Sequence, residues 1–236
     1  GAQRRTIDEI ANDLARPGPM HRLLQGDVGS GKTVVAVTAL LTAVRGGHQG
    51  AFMAPTEVLA EQHYLGVAAL LDGMTVPDPA TLLGHRPLKV DLLTNRTTAA
   101  ERRRIAAELV AGGVDVLIGT HALIQEGVEF GSLGVVVIDE QHRFGVSDRM
   151  RLTAKGHRPD TLVMTATPIP RTLALTVYGD LEVSTLKEAP PGRGSVRTRW
   201  VKGERVKKLS GLERKRVCTW LAHFVQLYQS EMALYV

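Results

Sequence analysis

With 236 residues and one cysteine, Cys218, the chain has room for one large domain, or one domain and part of a second, and excludes a disulfide framework or a thiolate metal cluster. It has no stretch of about 18 uncharged apolar residues and no export-signal pattern, which sets aside membrane and exported classes and makes a reducing cytoplasm the expected location. The formal net charge of +5 is concentrated in residues 187–217, which carry 11 Lys/Arg against 3 acids and leave the first 186 residues at about −2, so overall basicity says little about nucleic acid for the main body.

In chain order, periodicity predicts a helix over 7–15, a strand over 22–25, a helix over 33–44, a strand over 51–54 and a helix over 58–71. Pro77, Pro79 and Pro87, with Asp72, Gly73 and Gly84, make 72–88 a surface loop too broken for an element. A strand over 90–93, a helix over 99–111 and strands over 114–118 and 135–138 come next. A helix over 147–154, a strand over 162–164, a helix over 171–177 and a strand over 183–186 complete the body. Strands alternating with helices predict an α/β fold, a mainly parallel sheet covered by helices on both faces. Residues 187–194 read as a linker. Residues 218–236 hold 4 of the 10 aromatics, and Trp220, Phe224, Leu227 and Met232 can share one helix stripe that packs back, pairs with a partner or stays exposed.

The most informative string is Gly26-Asp27-Val28-Gly29-Ser30-Gly31-Lys32-Thr33, between an apolar run and a helix-like run. Its glycines let backbone N–H groups close around phosphate oxygens, and the following helix turns its positive end toward the same anion. Lys32 is placed to reach the β- and γ-phosphates of a nucleoside triphosphate, and the Thr33 hydroxyl to ligate Mg²⁺. A second string, Asp139-Glu140-Gln141-His142, ends the β-branched run 135–138, which suits a central parallel strand. Acids at such a strand end lie where ligands of open α/β sheets bind. Asp139 is expected to hold Mg²⁺ through water, and Glu140 to orient or deprotonate the attacking water. An acid pair ending a strand can also be solvated punctuation; the phosphate loop upstream favours the chemical reading.

These strings, with others in order, resemble the first motor lobe of superfamily 2 DNA helicases, and most closely the RecG type of ATP-dependent helicase, with the Mfd translocases as near relatives. Gly1-Ala2-Gln3 resembles the end of the adenine-reading segment, which implies Gln3 on the adenine edge. The string 54–63, beginning Ala54-Pro55-Thr56-Glu57, resembles motif Ia. Gly119-Thr120-His121 opens a motif Ib-like string, and Thr165-Ala166-Thr167 a motif III-like one. The resemblance implies a RecA-like P-loop lobe over 1–200, a tail of uncertain structure over 201–236, ATP and Mg²⁺ as cofactors, and branched or forked DNA as partner.

The implied DNA-backbone contacts are Pro55, Thr56, Gly119, Thr120 and His121, since amides and hydroxyls at strand ends can hold phosphates without reading bases. Thr56 also reads as an ordinary helix cap. Thr165, Ala166 and Thr167 are implied to couple the phosphates to the DNA face through Gln141 and His142, or else are satisfied core hydroxyls. His142 belongs to that polar link rather than to a metal site, as no second His or Cys stands at zinc spacing. Arg171 reads equally as a nucleotide or DNA contact or a surface ion pair.

Where the family has Gly-Ser after its third strand, this chain has Leu93-Thr94-Asn95-Arg96. Arg96 there is a candidate phosphate contact. The family's wedge domain and second motor lobe are expected to be absent from this chain, which reads as a fragment or a truncated or frameshifted frame. Residues 205–216 then read as solvated charge. By itself the chain is expected to bind nucleotide, hydrolyse it slowly and not unwind. The alternatives are an Mfd-like translocase lobe, a non-catalytic nucleotide- or partner-binding fragment, and a P-loop ATPase acting on protein or small molecules.

Overall fold

The computed structural model describes residues 1–78, 81–140, 144–167 and 181–187. The expected helix over 171–177, the linker and everything from 188 onward lie outside the described residues. Helix α1 covers Ala2–Leu14, strand β1 His21–Gly26, α2 Lys32–Arg45, β2 Gln49–Met53 and α3 Glu57–Leu71. Then come β3 Thr75–Pro77, β4 His85–Pro87, β5 Val90–Leu93, α4 Ala99–Val110 and β6 Val116–Gly119. A 3₁₀ turn at His121–Ile124, β7 Leu133–Asp139, α5 Val146–Thr153, β8 Asp160–Thr165 and β9 Glu182–Leu186 follow.

Seven strands form one sheet in the order β5-β6-β2-β7-β8-β1-β9. Every pairing in it is parallel. The alternation of a strand sorts its side chains onto two faces, and each face has its own core. Val135 and Val137 of β7 join Phe52, Leu24 and Met164 under α1, α2 and the buried side of α3. Val136 and Ile138 join Ala51, Met53 and Leu117 under α4, α5 and the 3₁₀ turn. This is the α/β architecture the alternating pattern predicts, with helices on both faces.

Two expectations fail. Helix α1 starts at Ala2, not at residue 7. Its first turn is polar to the eye, but Ala2, Thr6, Ile10 and Asp13 are all buried. Arg4–Asp8 and Arg5–Glu9 sit at the i,i+4 spacing that supports a helix, each at 3.7 Å. Residues 72–88 are not all loop: β3 and β4 pair antiparallel as a separate two-stranded ribbon, Thr75 opposite Pro87. Proline is tolerated at the ends of edge strands. The ribbon is fixed from outside, by the Arg86 guanidinium on both oxygens of Asp115 (2.7 and 2.8 Å) and on the Gly112 carbonyl (2.8 Å). Local sequence carries no sign of those partners.

Candidate functional site

All seven strands of the large sheet point the same way, so the turns after β1, β7 and β8 meet at one edge. The register makes this tighter: Leu24 and Asp139 both stand level with Met164, one on each side of β8. The loop after β1 and the acids after β7 are therefore two strand spacings apart, roughly 10 Å. Odd-numbered positions of β7 face α1–α3, so Asp139 turns toward the helix that begins at Lys32.

The loop from Gly26 to Gly31 closes with a Ser30 N–H donated to the Asp27 carbonyl at 3.1 Å. Gly31 caps α2 in the left-handed region, φ 88° and ψ 24°. A Cβ there would be strained and would stand 2.0 Å from Gln3 Nε2. Gln3 itself donates to the Ser30 carbonyl at 2.9 Å, tying the first turn of α1 to the loop. Asp27, Val28 and Gly29 lie on the surface. Lys32 is half-buried and folds its ammonium onto the Gly26 and Asp27 carbonyls at 2.7 and 3.1 Å. Thr33 occupies the first turn of α2, which has no acidic side chain to compete for an anion. Ser30 Oγ is buried without a hydrogen-bond partner. This donor set fits a polyphosphate with magnesium: free helix-terminal amides, an ammonium with three protons, two hydroxyls, and an acid across the cleft.

The Asp139 side chain is only 10% exposed. Its Oδ1 accepts the Glu140 N–H at 3.0 Å, and its Oδ2 lies 2.7 Å from Nε2 of His63 on α3. Glu140 leaves the strand at φ 47°, a left-handed conformation unusual for a non-glycine residue. Its Oε1 accepts the Ala166 N–H at 3.3 Å, so the acid of β7 touches the turn after β8. Beside it the Thr165 and Thr167 hydroxyls share a 2.9 Å hydrogen bond, and Thr165 is buried. Gln141 and His142 lie outside the described residues.

The turns after β2, β5 and β6 share the same edge, with Met53 and Leu93 both level with Gly119. Thr56 is exposed and caps α3, its Oγ1 accepting the Leu59 N–H at 3.3 Å, with half-buried Pro55 before it. Gly119 is buried, and a Cβ on it would stand 2.2 Å from the Leu93 carbonyl, so packing alone demands glycine. Thr120 is buried too, whereas His121 is exposed, 3.5 Å from Asp148. Arg96 pairs with Glu57 at 2.7 Å while 70% exposed. His63 had no role assigned from sequence. The signal was its spacing: position 63 falls on the α3 side that buries Ala60, Val67 and Leu71.

A left-handed glycine loop opening a helix, with acids at the end of a nearby parallel strand, defines a P-loop-type nucleotide site on a RecA-like sheet. The model of the DEAD/DEAH box helicase family matches residues 1–176, and the chain belongs to that family. It is 53% identical over 216 residues to the ATP-dependent DNA helicase RecG of Synechocystis sp., a match covering 92% of this chain and 24% of that protein. It is 47% identical over 216 residues to RecG of Bacillus subtilis, covering 92% of this chain and 30% of the relative.

A solved structure described as RecG bound to a three-way DNA junction superposes with a TM-score of 0.75 at 47% identity, over 92% of this chain and 28% of that one. The helicase Lhr of Mycobacterium smegmatis, bound to ssDNA and AMP-PNP, superposes at 0.57 with 20% identity, over 78% and 25% of the two chains, a likeness of fold alone. The chain thus spans 24% to 30% of the length of these RecG relatives. Among the described residues no helix is long and apolar enough to cross a membrane.

Proposed function

We propose that this chain is the ATP-binding motor lobe of a RecG-type DNA helicase, which in its whole form remodels branched DNA at forks and junctions. The observation that carries the reading is the register that sets Leu24 and Asp139 level with Met164, so that the acid ending β7 and the loop that leads from β1 into Lys32 and Thr33 open on one sheet edge. Gln3, the residues from Gly26 to Thr33 and Asp139 hold Mg²⁺–ATP. Magnesium supplies charge neutralisation on the β- and γ-phosphates when bound. Lys32 exchanges its loop carbonyls for phosphate oxygens, and Thr33 and Asp139 orient toward the ion. Glu140 directs water and takes its proton. Its contact with Ala166 N–H ties that carboxylate to the turn after β8, and Gln141, His142, Thr165 and Thr167 complete the link.

DNA lies across the other half of the edge, on backbone contacts at Pro55, Thr56 and His121. Gly119 and Thr120, both buried, shape that turn from beneath. Lys32→Ala tests the reading. Loss of a charge-assisted hydrogen bond, about 1.5–3 kcal/mol, weakens Mg²⁺–nucleotide binding by about 10- to 100-fold in a fluorescence titration. The half-buried position leaves the melting temperature nearly unchanged. Equal affinity of variant and parent removes Lys32 from the site.

A further inference from the structure

The acid assigned to magnesium is held by a side chain that the phosphate loop and the strand-end acids do not include. His63 sits at the seventh position of α3, turned inward and 15% exposed in its side chain. Its ring packs at 40° on Phe52 of β2, with centroids 4.5 Å apart. Phe52 pairs with Val137, two residues before Asp139, so the ring is seated on the strand pair that aims the acid. From that seat Nε2 meets Asp139 Oδ2 at 2.7 Å while the Glu140 N–H meets Oδ1 at 3.0 Å. An ionised carboxylate only accepts, so the imidazole proton stands on Nε2. Each carboxylate oxygen keeps a further lone pair, and with both oxygens tethered the plane of the group is set before any cation arrives.

We propose that His63 is a positioning residue for magnesium: it locks the Asp139 carboxylate in the orientation that receives the hydrated ion carried by the nucleotide. The inference rests on the nucleotide site proposed above. It differs from a packing role, because packing needs the ring's bulk, whereas orientation needs a donor at the Nε2 position. Partners of this kind, one bond removed from the metal, change metal affinity by about 10- to 100-fold when lost.

The test uses the full chain, a fluorescent ADP analogue as probe, and magnesium titrated into the binding reaction. In His63→Gln the side-chain amide nitrogen reaches the place of Nε2; in His63→Asn it stops short. The Asn variant should raise the magnesium concentration for half-maximal binding by about 10-fold or more, with magnesium-free affinity unchanged. The Gln variant should return that concentration to the parent value. Equal magnesium requirements in Gln and Asn variants, or a parental requirement in Asn, make His63 structural only and overturn the proposal. If Asn proves unfolded by circular dichroism, Gln decides alone: a folded Gln variant that has lost the magnesium response also overturns it. Lys32→Ala separates the two readings. If the parent shows no magnesium-sensitive binding and Lys32→Ala binds equally, the nucleotide site itself fails, and the proposal with it.

Discussion

Glu140 combines backbone strain with the proposed role of base. A non-glycine residue at φ 47° costs about 1–3 kcal/mol, and here it turns the carboxylate from the strand line to the Ala166 N–H. Glu140→Gln keeps an acceptor oxygen for that contact and removes the proposed base. Residual turnover should fall by about 10²–10⁴ while nucleotide affinity holds, as phosphate release against a binding titration would show. An unaltered rate would assign the base elsewhere.

A different carboxyl, Asp160 at the start of β8, tests electrostatics away from the site. Burial pushes its pKa up, and nearby Asp13 adds to this, against the Met20 N–H it accepts at 2.5 Å and the charges of His21 and His48. A raised folded pKa means the fold favours the protonated form. Ionised Asp160 therefore subtracts from stability above that pKa, and the subtraction fades as pH falls through it. Asp160→Asn should melt higher than the parent at neutral pH, with the gap closing toward the carboxylate range. A uniform loss at every pH would mean that the Met20 contact needs the charge. Lys32, Thr33 and Asp139 could be proposed from sequence because the chemistry suggested for them depends on residues adjacent in sequence. His63 could not, because its contact with Asp139 joins residues 76 apart in the chain.

Elements were legible where their own residues decide them. The β-branched run of β7 and the periodic run of α2 needed no distant partner, and their expected and observed bounds differ by one or two residues. The β3–β4 ribbon and the first turn of α1 depend on distant partners instead, Asp115 for Arg86 and the loop carbonyl of Ser30 for Gln3. Edge strand β9, expected over 183–186 and found at Glu182–Leu186, was legible and also has a distant anchor. It is held to β1 and α1 by Arg22, whose side chain is 5% exposed. Nε donates to Asp13 at 2.7 Å, Nη1 to Ser184 at 2.7 Å and Nη2 to Glu182 at 2.6 Å. A buried guanidinium with these partners adds little net stability, but removing it leaves Asp13, which is 5% exposed, with the surface Arg16 at 3.2 Å as its remaining described ion-pair partner. Arg22→Ala should cost about 3–5 kcal/mol in chemical denaturation. A change below about 1 kcal/mol would show that the acids rehydrate once the arginine is gone.

On the proposed function, one sheet edge of the described body divides between two tasks. The turns after β7, β8 and β1 form the nucleotide half, and those after β5, β6 and β2 the half assigned to DNA. Strand β7 pairs with β2 on one side and β8 on the other, so a shift at Glu140 has a direct route to both. Routing alone does not make a fast ATPase. On the proposed function, charge on the γ-phosphate would meet Lys32 and magnesium on this lobe, and an arginine supplied from another body would contribute about 10³–10⁵ in rate. The chain spans 24% to 30% of the RecG relatives, and on the proposed function that contribution comes from another body. The purified chain should bind Mg²⁺–nucleotide yet turn over ATP by about 10³-fold or more below a two-lobed relative. A synthetic fork should stimulate that rate little, since DNA acts on it by closing a cleft that needs two walls. Phosphate release with and without the fork measures both. Robust fork-stimulated turnover by the chain alone would mean that the missing charge lies within its own sequence.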